Sequence, residues 1–216
     1  MRPRVVAIDG AAGSGKSTLA RSLAGVLGLA YINTGWMYRA VAAAALEEGV
    51  GPDDEAGLAS ISREVRFTFA GDPPALEVEG WTEAALTSPE VERSVSAVAR
   101  HPAVREVLRR IQRRLGEGGA VMEGRDIGAV VFPDAPVKVF LQAQAGTRVT
   151  RRAAERDLDP GAVAEAVSDR DARDARTNPL EPVADAVVLD TEGLGIDATL
   201  EAALDLVRER APELMP

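Results

Sequence analysis

The chain has no cysteine, one histidine and only two lysines among 25 basic residues, and no apolar run long enough to cross a bilayer. The first absence excludes disulfides, thiolate zinc sites and cysteine nucleophiles. The single histidine, His101, stands immediately before Pro102, a position that suits a helix boundary better than an acid–base catalyst. The missing apolar run excludes a helical membrane span. Met1 to Arg4 leads directly into the first apolar run, which leaves no room for a signal peptide, so a cytoplasmic location with no membrane contact is expected. A net charge of −9 repels polyanions, and no basic stripe offsets it, so no nucleic-acid partner is expected.

What the chain does contain is a phosphate-binding loop. Gly10, Ala11, Ala12, Gly13, Ser14, Gly15, Lys16 and Ser17 match the pattern G-x-x-x-x-G-K-[ST], and Thr18 follows. The loop sits behind the apolar run Val5 to Ile8 and ahead of Leu19, Leu23 and Leu27, whose spacing forms one stripe of a helix. Strand, glycine turn and helix N-terminus together direct backbone N–H groups and a positive dipole at one anion. Lys16 is placed to reach the β- and γ-phosphates of ATP, and the Ser17 hydroxyl to join a Mg2+ shell. A chain this poor in lysine keeps one here, where a compact ammonium fits between phosphates better than a planar guanidinium.

With 216 residues, 46% of them hydrophobic, the chain suits one domain over 1–216. Five buried-type runs (Val5 to Ile8, Ala30 to Ile32, Ala120 to Met122, Val137 to Leu141, Ala186 to Leu189) alternate with helical patterns, which predicts an α/β fold with a parallel sheet covered on both faces. Ligands of such sheets bind beyond the carboxyl ends of the strands. The exception is Val65 to Val78, where alternation on both sides of Gly71-Asp72-Pro73-Pro74 predicts an antiparallel hairpin, read as an insertion that could cover a ligand. Pro89 to Arg100 and Pro102 to Leu115 read as helices, the second with Val104, Val107, Leu108 and Ile111 as its buried stripe.

Three polar clusters accompany the loop: Asn33 to Arg39, Glu123 to Gly128, and Asp169 to Arg176 with Arg148, Arg151, Arg152 and Arg156 upstream. With IDGAAGSGKST at 8–18, NTGWMYRA at 33–40, VSAVARHPAVR at 95–105, EGRDIGAVVFPDAPVKVFL at 123–141 and DRDARD at 169–174, the chain resembles the bacterial cytidylate kinases, P-loop nucleoside monophosphate kinases. The resemblance implies transfer of the ATP γ-phosphoryl group to CMP or dCMP. It also implies a three-layer fold with a five-stranded parallel sheet, an acceptor-binding insertion at about 61–95, a short lid at about 148–168, and a monomer. Arg39 and Arg125 would hold the acceptor phosphate with Thr34, Tyr38 and Gly124 beside them, and Arg105 and Asp126 would read the cytosine edge. Ser96, Arg170 and Asp174 would meet the pentose, and Arg176 would stand near the base. Lys16, Arg125, Arg151 and Arg152 would carry catalysis. Trp36 stands where a smaller residue is usual, and the lid is shortened.

The acceptor phosphate is largely dianionic at neutral pH, its second pKa being about 6, so the transfer needs no general base; it needs alignment, charge neutralisation and exclusion of water. Glu123 and Asp126 both end the third strand, and their roles do not separate at this level. Two other readings share the scaffold. One is a kinase for UMP or shikimate. The other is a nucleotide switch, suggested by Asp190 to Gly193 as D-x-x-G but opposed by the lack of an N-K-x-D guanine reader.

Overall fold

The computed structural model describes residues 2–156, 161, 163–165, 167–168 and 181–216. Seven strands among them form one sheet: β1 (Val5–Gly10), β2 (Ala30–Asn33), β3 (Phe67–Ala70), β4 (Ala75–Val78), β5 (Ala120–Gly124), β6 (Val137–Gln142) and β7 (Val187–Asp190), in the order β3-β4-β2-β5-β1-β6-β7. β2, β5, β1, β6 and β7 run parallel, as the five expected strands.

The central strands carry no polar alternation because both faces are covered. Val5 and Ala7 of β1 face one apolar layer, with Met37, Val41, Leu58 and Leu108; Val6 and Ile8 face the other, with Leu19, Leu23, Leu204 and Val207. The first layer is carried by α2 (Thr34–Glu48), α3 (Glu55–Glu64), the short α4 (Glu83–Leu86), α5 (Pro89–Ala99) and α6 (Pro102–Gly116). The second is carried by α1 (Lys16–Leu27) and the C-terminal helix Ile196–Arg210. Leu23 is wholly buried, so truncating it to alanine would cost about 3 kcal/mol.

Two features depart from the sequence reading. The hairpin β3–β4 does not stand apart as a cover: β4 pairs in parallel with β2, Tyr31 opposite Ala75, so the hairpin lengthens the sheet. On α6, Val107 and Ile111 are half-buried, and the sealed positions after Leu108 are Gln112 and Gly116. Gly116 is required by packing, since a Cβ there would stand 2.7 Å from the Phe132 ring. Between α5 and α6, His101 caps the second helix with Pro102 at its first turn, and its Nε2 lies 2.7 Å from the Pro52 carbonyl, the boundary role expected of it. No described helix is long and apolar enough to cross a membrane.

Candidate active site

A cleft of about 580 Å3 opens beyond the carboxyl ends of β1, β2 and β5. The first of these strands delivers the glycine loop. Gly10 (φ 148°) has no room for a side chain, because a Cβ would lie 2.4 Å from the Leu141 carbonyl oxygen; at Gly13 (φ 75°) a Cβ would stand 2.9 Å from the Arg148 carbonyl oxygen. The loop then enters α1 at Lys16, whose Nζ donates to the Ala11 carbonyl at 2.6 Å. Ala12, Gly13, Gly15, Lys16, Ser17 and Thr18 line the cleft, while Gly10, Ala11 and the sealed Ser14 form the back of the turn.

Directly opposite, β5 ends in Glu123, which is buried. Its two oxygens are divided: Oε2 accepts from Ser17 Oγ at 3.0 Å and Oε1 from the Tyr31 hydroxyl at 2.5 Å. Burial, and then the Glu123 carboxylate, push the Tyr31 phenol well above its ordinary pKa, so it remains a donor. Thr34 Oγ1 donates to the Glu123 carbonyl at 2.8 Å, which ties the start of α2 to the end of β5. Gly124 is held small by this junction, since a Cβ would meet Thr34 Oγ1 and Ile127 Cδ1 at 2.7 Å.

Three residues further on, Asp126 turns the other way. Its Oδ2 accepts from Arg105 at 3.1 Å and from Arg109 at 2.6 Å. The structure thus separates two carboxylates that the sequence left together: Glu123 belongs to the phosphate loop through Ser17, Asp126 to the guanidinium pair on α6. The backbone after Asp126 is a π-helical turn, Ile127–Val131, clamped by Asp9 at the end of β1, whose Oδ1 and Oδ2 accept from the Ile127 and Gly128 amides at 2.8 Å each. Burial raises the Asp9 carboxyl to a pKa of about 6 against the pull of those two donors; Asp126 raises it further, and Lys16 opposes.

Arg39, on α2, lies over the Trp36 ring, 5.7 Å from its centroid, and donates through Nε and Nη2 to Glu92 Oε1 of α5 at 3.0 and 2.8 Å. Tyr38, Ser96, Arg105, Gly124, Arg125 and Asp126 line the same cleft as Lys16 and Ser17. The Tyr38 phenol is pushed up to about 12 by burial and by Asp126. Of the predicted acceptor residues, Arg170, Asp174 and Arg176 lie outside the described residues.

The arginines expected in the lid divide. α7 (Ala145–Arg156) begins against the loop, with Arg148 buried and donating to the Ala12 carbonyl at 3.2 Å. Arg151 donates to the Thr191 hydroxyl at 2.9 Å and carbonyl at 2.8 Å, next to Gly15, and is not in the cleft lining. The side chains of Arg152 and Arg156 are outside the description. Sequence reasoning left Arg109 without a role at the site and did not single out Glu92, Tyr31 or the contact of Arg148 with the loop. Only Arg109 carried a signal, one helical turn beyond Arg105 on the same face.

The cleft therefore joins a phosphate loop to a guanidinium-rich wall that ends in a carboxylate. The cytidylate kinase family model matches residues 6–209. The cytidylate kinase of Desulfitobacterium hafniense (strain Y51) is 42% identical over 95% of this chain and 93% of its own length. That of Chloroflexus aggregans (strain MD-66 / DSM 9485) is 43% identical over 89% and 88%. A sugar kinase from Janibacter sp. HTCC2649, whose crystal structure covers 99% of both chains at a TM-score of 0.52 and 17% identity, shares the fold alone. Matched along nearly its whole length in these two relatives and in the family model, the chain belongs to the cytidylate kinase family.

Proposed function

We propose that the cleft transfers the γ-phosphoryl group of ATP to CMP or dCMP, giving ADP and the nucleoside diphosphate. The observation that carries this reading is the shared wall: Lys16 and Ser17 of the loop line one space with Arg39, Arg105, Arg125 and Asp126. Two polyanions can lie head to tail there.

The loop amides and Lys16 grip the donor phosphates. Arg39 and Arg125 hold the acceptor phosphate, supported by Thr34, Tyr38 and Gly124, for which forked guanidinium groups suit tetrahedral oxyanions. Arg105 donates to the cytosine O2 and N3 acceptors, and Asp126 accepts from its N4 amine. Uracil places an oxygen where that amine stands and leaves the carboxylate facing an acceptor. Ser96 and, from the undescribed stretch, Arg170 and Asp174 serve the pentose, with Arg176 near the base.

The Ser17 hydroxyl beside the Glu123 carboxylate is a pair of hard oxygen donors that suits Mg2+. Ser17 would hold it directly and Glu123 would orient its water; when bound, it neutralises charge on the β- and γ-phosphates.

The insertion at about 61–95 supplies one wall of the acceptor site through Glu83, Thr87 and Val95, with Ser96 directly after it. Arg151 and Arg152 serve the transferring group from a lid at about 148–168, whose root is anchored by Arg148. The protein works as a cytoplasmic monomer. The test is ADP release with CMP, dCMP, UMP, AMP, shikimate or no acceptor, each with Mg2+ and with a chelator. Metal-dependent release confined to CMP and dCMP is expected. Equal rates with UMP, or release without any acceptor, would overturn the reading.

A further inference from the structure

We propose that Arg109 is a positioning residue for base discrimination: it holds Asp126 in place so that Arg105 can leave it for the cytosine ring. The inference rests on the reading of Asp126 as the group that meets the exocyclic amine.

The two groups assigned to the base are bonded to each other, Arg105 to Asp126 at 3.1 Å. Drawing the Arg105 fork to both O2 and N3 of a base weakens that contact. When Arg105 turns to O2 and N3, Asp126 loses a charged donor in a place where its side chain is only 13% exposed, and a carboxylate stripped of its partner there is costly. That cost would be subtracted from CMP affinity. Arg109 removes it. It lies on α6 one turn beyond Arg105, reaches the same Oδ2 by the shorter contact, 2.6 Å, and is not among the residues that line the cleft.

The other groups around the pair keep this geometry. Gln112, four residues further along α6, bonds the Tyr38 phenol, and Asp9 fixes the amides that follow Asp126. Arg109 Nε is buried with no hydrogen-bond partner, so its charged contact is made by the terminal nitrogen alone. The α6 face thus presents one arginine that moves and one that stays.

A purely structural role would affect every acceptor alike. A role in holding Asp126 affects only the acceptor that uses Asp126. Steady-state kinetics with CMP and UMP on Arg109→Gln, Arg109→Met and Arg109→Lys tests this, beside Asp126→Ala. For the Gln and Met variants the expected result is a rise of about tenfold in KM for CMP with kcat reduced less than threefold, kcat/KM for UMP within about twofold of the parent, and substantial recovery in the Lys variant. Arg109→Met keeps the apolar stem, so it provides the reading if the Gln variant fails to fold. Equal losses with CMP and UMP, or an unchanged CMP to UMP ratio, would overturn the proposal. If Asp126→Ala also leaves that ratio intact, the base-reading role of Asp126 falls with it; if Asp126→Ala collapses the ratio and the Arg109 variants do not, only the role of Arg109 falls.

Discussion

Replacing Asp9 by asparagine should remove a pH dependence that the native fold carries at the base of its active site. The Asp9 carboxyl titrates near 3.8 in an unfolded chain and at about 6 in the fold, chiefly because it is buried. Its ionisation is therefore harder in the native state than in the unfolded one. The stability it contributes is fully present below pH 3.8 and is lost as pH rises through 6, and a gap of roughly two units corresponds to about 3 kcal/mol. Asparagine cannot ionise, so that slope disappears. It also offers one oxygen where two amides, Ile127 and Gly128, each donate at 2.8 Å. Its amide nitrogen would face an N–H, at a pH-independent cost of about 1–3 kcal/mol. The assay is urea unfolding of the native protein and of Asp9→Asn at pH 4, 5, 6 and 7, followed by tryptophan fluorescence. Titration of other groups cancels in the difference. Native protein should exceed the variant by about 2.4 kcal/mol more at pH 4 than at pH 7, since part of the loss has already occurred at pH 4. A difference that stays flat, or grows with pH, would refute the reasoning.

Two further perturbations address the two halves of the cleft. Lys16→Ala should lower turnover at least about a hundredfold while CMP binding, measured by calorimetry, stays within twofold; unchanged turnover would remove Lys16 from the mechanism. Glu92→Gln should lower KM for CMP about threefold, because the acceptor phosphate no longer displaces an ion pair from Arg39; a higher KM would mean that Glu92 aims Arg39 rather than occupying it.

The features legible in the sequence were those encoded within a few residues. The loop from Gly10 to Ser17 announces itself because backbone conformation, dipole and lysine must be contiguous. The five parallel strands were visible because burial on both faces leaves unbroken apolar runs, and their ends needed only small extension. The hairpin was also local, but its attachment was not: pairing of β4 with β2 depends on a register between Tyr31 and Ala75 that no pattern within either segment specifies. The same limit hid Glu92 behind Arg39 and Tyr31 behind Glu123, which are 53 and 92 residues apart in the chain. Glu123 and Asp126 looked interchangeable as neighbours at a strand end. Only the direction in which each side chain leaves the backbone, toward Ser17 or toward α6, distinguishes them. Arg170, Asp174 and Arg176 lie outside the described residues.

The scarcity of lysine has a practical corollary. Lys138, on β6, is buried, its ammonium held by the Pro133 carbonyl at 2.5 Å and the Asp185 carboxylate at 2.7 Å. Lys16 alone among the side-chain amines borders the cleft. An acylating reagent selective for side-chain amines therefore has one address in the cleft, and on the proposed reading of the loop, labelling there should fall as a phosphate donor binds.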